Sequence, residues 1–259
     1  MSLPSDTEPP LRFEDFEDRY NYGVEFRYNA PFFRIVRTLI EEKGASATVL
    51  DIGCGEGIGR NRQMQRELRK VAGTYWGVEP DTEVELEPGL FDRVEHALLE
   101  DAGLPDNSVD VAYSFMVMEH VQDPDGFLKE LGRILKPGGV FVFATPNKHH
   151  LFGFLAYWTD KLGIADFILG LIHKKDTLEH HYPLAYKINT AGQIRARAKA
   201  AGLEARVGYC ETPASLQNYL RGPLKLIRGC LIVKRRIWKQ RSALCHIYGW
   251  LRKPDAGAS

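Results

Sequence analysis

Two hydrophobic rhythms take turns along this chain. Phe32, Ile35, Val36, Leu39 and Ile40 recur at three and four positions and predict an amphipathic helix. Ala47 to Ile52 is then a short apolar run with β-branched residues, a strand that breaks into Gly53-Cys54-Gly55-Glu56-Gly57. A polar, Arg-rich helix follows, roughly Arg60 to Val71. Tyr75 to Val78 is a second strand ending at Glu79-Pro80-Asp81, and Val94 to Leu99 a third, ending at Glu100-Asp101. Val109 to Val117 is a fourth, opened by the turn Asp106-Asn107-Ser108. Asp123 or Asp125 caps a helix reaching Leu135, which Lys136-Pro137-Gly138-Gly139 terminates. Val140 to Ala144 is wholly apolar, as a strand buried on both faces should be.

Strands and helices alternating at this spacing predict a parallel, doubly wound α/β sheet with right-handed crossovers. Later, Thr190 caps a helix from Ala191 to Ala201 that Gly202 stops. Leu203 to Cys210 and Ala243 to Leu251 read as late strands forming an antiparallel edge pair. The organisation expected is an N-terminal extension over 1–30, a core over 31–210, and a cationic helical embellishment with the final edge strand over 211–259. Residues 1 to about 12 are Pro-rich and polar and read as unstructured. Within the core, 151–175 is an aromatic-rich, apolar insert.

Charge changes this picture locally. The 259 residues carry 34 basic and 34 acidic side chains, so no overall field favours nucleic acid. Yet from Glu79 to Asp110 Arg93 is the sole full positive charge, and from Arg221 to Lys253 every formal charge is positive. Over 214–240 the basic residues alternate with Leu220, Leu224, Ile227, Leu231 and Trp238, a pattern suited to the surface of an anionic membrane. The start of the chain lacks the pattern of a secretory signal, and the greasy stretch Leu151 to His173 is broken by Asp160, Lys161 and Asp166, so no spanning segment is expected. Four scattered cysteines without a CxxC pair fit a reducing, cytoplasmic setting.

Candidate chemistry collects where strands end, which is where open parallel sheets bind ligands. Gly53, Gly55 and Gly57 allow a tight turn and a close approach to a ligand. A dinucleotide fingerprint would need glycine at Ile58, and the acidic flanks Asp51 and Glu56 repel a pyrophosphate while suiting a cation. Glu79 stands where a carboxylate can accept both hydroxyls of a ribose. Glu100 or Asp101 could accept from an adenine amino group, with neighbouring backbone against the ring.

Val49-Leu50-Asp51-Ile52-Gly53-Cys54-Gly55-Glu56-Gly57 resembles motif I of class I S-adenosylmethionine (SAM)-dependent methyltransferases. Leu104-Pro105-Asp106-Asn107-Ser108-Val109-Asp110, Met118-Glu119-His120-Val121 and Leu135-Lys136-Pro137-Gly138-Gly139 resemble later blocks of the UbiE/UbiG-like (methyltransferase type 11) group. The similarity covers roughly Thr48 to Asn147 and continues more weakly to about Gly208. It implies a Rossmann-like, mostly parallel seven-stranded sheet with an antiparallel edge strand and helical insertions. It further implies SAM as cofactor, with Asp51, Gly53 and Gly55 along its methionine moiety, Glu79 and Pro80 at the ribose, and Glu100, Asp101 or Ala102 at the adenine. Phe115 and Met116 would face the sulfonium. Cys54 is expected as a small loop residue of that site rather than a nucleophile.

Methyl transfer needs chiefly alignment, and a base only when the acceptor must lose a proton. Glu119 and His120 are the candidates. Some related enzymes hold a metal on Glu-x-x-Glu-His here; Met116 replaces the first glutamate, and no metal is expected. The acceptor expected is a small molecule or lipid intermediate, hydrophobic in keeping with the insert, methylated on O before N or C. The alternative is a SAM-binding regulatory or scaffolding protein without catalysis. A monomer or homodimer, cytoplasmic and peripheral on a membrane through 214–240, completes the expectation.

Overall fold

The computed structural model describes residues 10–15, 29–150, 184–210 and 244–257, with the single positions 158, 161, 226, 229, 230 and 233. The apolar runs become the strands β1 (Thr48–Ile52), β2 (Thr74–Val78), β3 (Arg93–Glu95), β4 (Val109–Phe115), β5 (Leu135–Pro146), β6 (Glu204–Cys210) and β7 (His246–Arg252). They form one seven-stranded sheet in the order β3-β2-β1-β4-β5-β7-β6. β1 to β5 run parallel to one another, and β7 runs antiparallel to both β5 and β6. The two late strands therefore make the antiparallel pair at one edge, with β6 outermost and β7 inserted beside β5.

Helices α1 (Asn29–Lys43), α2 (Arg62–Val71), α3 (Pro124–Ile134) and α4 (Ala191–Ala200) cover the sheet. Strand side chains alternate between two cores, as the two-residue period of a strand demands. Val49, Val111, Tyr113, Val140 and Val142 pack with α1 and α2, whereas Leu50, Ile52, Ala112, Phe141 and Phe143 pack with α3 and α4. α2 buries Met64, Gln65 and Leu68 on one stripe, and α3 buries Phe127, Leu128, Leu131 and Ile134. Two helices begin on the caps expected, Asp123 accepting from Asp125 and Gly126 N–H and Thr190 from Gln193 N–H, while the Arg-rich helix begins at Arg62 after Asn61, which accepts from Gln63 N–H.

Three local expectations change. The third strand is shorter than Val94 to Leu99: only Arg93–Glu95 pairs with β2, and Leu99–Asp101 turns into a single 3-10 turn. Leu99 and Ala102 gain more by burial in the core with α3 than by extending a ladder. The Pro-Gly-Gly expected only as a helix stop lies within β5, which starts at Leu135 and shifts register against β4 before Val140. Gly138, at φ 72°, makes that irregularity without steric cost. Lastly, the start of the chain is ordered earlier than its composition suggests. Leu11 and Phe13 are buried against α1 and the sheet, with Leu11 N–H donating to Thr38 Oγ1.

Nearly all of the insert expected over 151–175 and of the stretch 214–240 falls outside the described residues. Among those described, no helix is long and apolar enough to cross a membrane.

Candidate active site

A cavity of about 490 Å³ opens beyond the carboxyl ends of β1, β2 and β4. The loop after β1 contributes Gly53, Gly55, Glu56, Gly57, Gly59 and Arg60. Glu79, Pro80 and Val84 close it from the end of β2. From the end of β4 come Phe115, Met116, Val117, Glu119 and His120. Gathering three strand ends at one mouth is what a parallel sheet does with its connections.

The glycine loop is shaped by contacts that no other residue would survive. A Cβ on Gly55 would lie 2.6 Å from Val84 Cγ1 and 2.9 Å from Glu79 Oε2. Gly53 adopts φ +77°, and a Cβ there would meet Val117 Cγ2 at 2.4 Å. With its side chain absent, Gly55 instead donates its N–H to Glu79 Oε2 at 3.0 Å, while Asp81 N–H donates to Oε1 at 3.2 Å. Burial pushes the Glu79 carboxyl above the usual carboxylate range, with those two backbone donors opposing the shift in part. Each oxygen keeps a further lone pair to offer the cavity.

Asp51 lies beneath the loop rather than on the cavity wall. Its register partner on β4 is Tyr113, and both point to the α1–α2 face. Asp51 is 3% exposed and its Oδ2 gathers three donors: Tyr113 OH at 2.5 Å, Gln65 Nε2 at 2.7 Å and Tyr75 OH at 3.4 Å. Gln65 Nε2 also donates to the Cys54 carbonyl at 2.7 Å, which ties α2 to the loop. Burial pushes the Asp51 carboxyl up to about 6 in spite of these donors. Cys54 is buried beside Gly77, and burial together with the Asp51 and Glu79 charges drives its thiol far above the ordinary range.

The raised Asp51 carboxyl has a consequence for stability. Between its unfolded value near 3.8 and its folded value of about 6, the folded protein binds more protons than the unfolded chain. Its contribution is therefore fully present below the lower value and lost as pH rises through the upper one. Asp51→Asn is expected to gain stability relative to the wild type by about 2 kcal/mol between about pH 4 and pH 7. Urea unfolding of both proteins across that range checks this; a difference independent of pH would contradict it.

Glu119 and His120 follow a tight bend at Met116, which holds φ 58° while its N–H donates to Ala144 O at 2.8 Å. That bend turns Glu119 inward to 5% exposure on the cavity wall. Its carbonyl accepts Ala185 N–H at 2.7 Å and Tyr186 N–H at 3.0 Å, and its Oε2 accepts from Thr145 Oγ1 at 3.0 Å. Burial pushes the carboxyl up to about 7, against the opposing backbone and Thr145 hydrogen bonds.

Among the residues singled out from sequence, Gly53, Gly55, Glu79, Pro80, Phe115, Met116, Glu119 and His120 share this cavity. Glu100, Asp101 and Ala102 do not line it. Glu100 sits against the start of α3, its Cγ 3.5 Å from where a Gly126 Cβ would be, Asp101 is exposed, and Ala102 is buried in the core. Sequence reasoning passed over Gly59, Arg60, Val84 and Val117 on the wall, and Gln65, Tyr75 and Tyr113 beneath it. Val117 belongs to a run that reads simply as strand. No group of three or more His, Cys, Asp or Glu among the described residues is arranged to hold a metal ion.

Comparison with known proteins agrees with this geometry. A family model described as "Methyltransferase domain" matches residues 24–206. "Probable S-adenosylmethionine-dependent methyltransferase" of Mycolicibacterium smegmatis is 36% identical over 114 residues, 44% of this chain and 44% of that protein. "Ubiquinone biosynthesis O-methyltransferase" of Citrobacter koseri is 32% identical over 130 residues, 49% of this chain and 51% of the relative. The chain thus spans about half the length, or less, of these curated relatives. A SAM-dependent methyltransferase structure from Archaeoglobus fulgidus superposes with a TM-score of 0.51 at 18% identity, over 85% of this chain and 94% of that one, which shows the shared fold. With the family model covering well over half its length, the chain belongs to the methyltransferase domain family, on a Rossmann-like class I fold.

Proposed function

We propose that this protein is a SAM-dependent methyltransferase that methylates a hydroxyl on a small-molecule or lipid-intermediate acceptor. The observation that carries the reading is one cavity holding both Glu79, fixed by Gly55 and Asp81, and the buried carboxylate of Glu119. Its volume lies within the roughly 300–1,000 Å³ usual for small-molecule sites.

The residues present fit the cofactor. Gly53 and Gly55 line the cavity, their missing side chains letting Val117, Val84 and Glu79 close against the loop, and Glu79 offers acceptors to a vicinal diol. Glu56, Glu79 and Glu119 against Arg60, itself paired with Glu56 at 3.0 Å, favour a cationic guest. When bound, SAM supplies a methyl group on a positively charged sulfur. Phe115, Met116 and Val117 keep that part of the wall apolar, which excludes water and suits a hydrophobic acceptor. The acceptor hydroxyl loses its proton to Glu119. The relatives named as ubiquinone biosynthesis O-methyltransferases support oxygen as the methylated atom. The cationic stretch 214–240 supplies, in this reading, the contact with an anionic membrane surface where such acceptors reside.

Calorimetric titration with SAM and with S-adenosylhomocysteine tests the reading. The wild type is expected to bind both, and Gly55→Ala to bind at least roughly tenfold more weakly, because its methyl group displaces Glu79. A folded wild type that binds neither would sink the assignment.

A further inference from the structure

Beyond the cavity wall, Glu119 is the end of a buried chain of hydrogen bonds whose direction is set. Asn189, immediately before the Thr190 cap of α4, donates Nδ2–H to Thr145 Oγ1 at 2.6 Å. The same Nδ2 faces the Pro146 carbonyl at 3.5 Å, an oxygen that can only accept, so the amide must present its nitrogen on this side. Asn189 Oδ1 is left buried with no hydrogen-bond partner among the described residues. Such an oxygen destabilises the fold by about 1–3 kcal/mol, so stability alone does not explain this orientation.

The polarity then propagates. With Asn189 donating to it, the Thr145 hydroxyl turns its single proton onward to Glu119 Oε2, at 3.0 Å. Thr145 and Asn189 are both wholly buried, so water does not compete for these bonds. Oε2 is thereby held as an acceptor, while Oε1, which has no hydrogen bond to any described residue, is the oxygen left for the cavity that Glu119 lines.

We propose that Thr145 and Asn189 are positioning residues that fix the Glu119 carboxylate as a one-way proton acceptor, receiving the proton of a neutral hydroxyl on Oε1. The proposal rests on the methyltransferase reading above. In the step it describes, the acceptor O–H bond breaks and its proton ends on Glu119 Oε1. The oxygen lone pair forms the bond to the methyl carbon, and the electron pair of the broken carbon–sulfur bond stays on sulfur. An acceptor that arrives already ionised would have no use for the arrangement, so the chain selects for a protonated hydroxyl of the phenol or alcohol class.

Other titratable or charged groups stand at this end of the sheet: His120 on the same bend, Lys148, His149 and His150 after β5, Tyr186 before α4, and His246 at the start of β7. None is among the causes that move the Glu119 carboxyl, which are burial, its backbone and Thr145. The Thr145 bond can therefore be read out alone.

The test is a carbon-13 NMR titration of glutamate-labelled protein saturated with S-adenosylhomocysteine, the Glu119 signal being the one lost in Glu119→Gln. Thr145→Val is expected to raise the Glu119 midpoint by roughly one pH unit, since only the ionised form loses a charge-assisted hydrogen bond. Thr145→Ser, which keeps the hydroxyl, should restore it. Asn189→Leu frees the hydroxyl to turn away and should shift the midpoint the same way by less; it carries the test if Thr145→Val does not fold. A merely structural role would lower stability without moving the midpoint. An unchanged midpoint with S-adenosylhomocysteine still binding overturns this proposal alone, whereas a wild type that binds no cofactor overturns the reading beneath it.

Discussion

Replacing Glu79 by alanine is expected to weaken SAM binding by about 100-fold or more while leaving the protein folded. A hydrogen bond to a charged group is worth about 1.5–3 kcal/mol, and a carboxylate accepting two hydroxyls loses both at once. The variant also releases Gly55 and Asp81, whose N–H groups Glu79 now holds at 3.0 and 3.2 Å, so the loop itself loosens. Glu79→Gln separates the two effects. Its single carbonyl oxygen can serve one of these tasks, and a loss of roughly tenfold is expected. The folded state is checked by circular dichroism and the affinity by calorimetry. An alanine variant that binds within about threefold of the wild type would place the ribose contact elsewhere.

Glu119→Gln is expected to leave cofactor affinity nearly intact and to lower kcat by about 10²–10⁴-fold, the usual worth of a positioned general base. Glutamine matches the carboxylate in shape and can still accept from Thr145, so packing on the cavity wall is preserved while the ability to take a proton is lost. The pH profile makes the distinction sharp. Burial holds the Glu119 carboxyl at about 7, so the base becomes available as pH rises through that value, and wild-type kcat should climb and then level off. The variant should lack that limb. Hydrophobic phenols and polyprenyl-type alcohols are the acceptors to screen first, with methyl transfer followed by S-adenosylhomocysteine release. A variant retaining wild-type kcat at about pH 8 would shift the role of proton acceptor to His120, its neighbour on the same bend.

Both experiments address residues that are legible in the sequence, and the reason is physical. Glu79, Glu119 and the glycines sit at strand ends, where a change of rhythm in the sequence marks the end of a strand and the start of a loop. A parallel sheet leaves those ends on one side, so the order of strands alone assigns residues far apart in sequence to a common mouth. The same logic read Glu100, Asp101 and Ala102 as a third wall. There the chain turned early: β3 ends at Glu95, and Leu99 and Ala102 drop into the core with α3, leaving Glu100 beside Gly126. A three-residue strand on the sheet edge gains little from pairing, so packing decided its end.

By itself the sequence determined the order of elements, the helix caps at Asp123 and Thr190, and the glycine loop, because propensity, capping and close backbone approach act between near neighbours. What only the tertiary structure decided is the company each acid keeps. Asp51 meets Tyr75, Tyr113 and Gln65 because β2 and β4 flank β1 in the sheet and turn these side chains to the face that α2 covers. Glu119 meets Thr145, and through it Asn189, because the end of β4 lies beside the end of β5 and the entry to α4. Both carboxyls are raised first of all by burial, and burial is a property of the packed molecule that no stretch of chain carries alone.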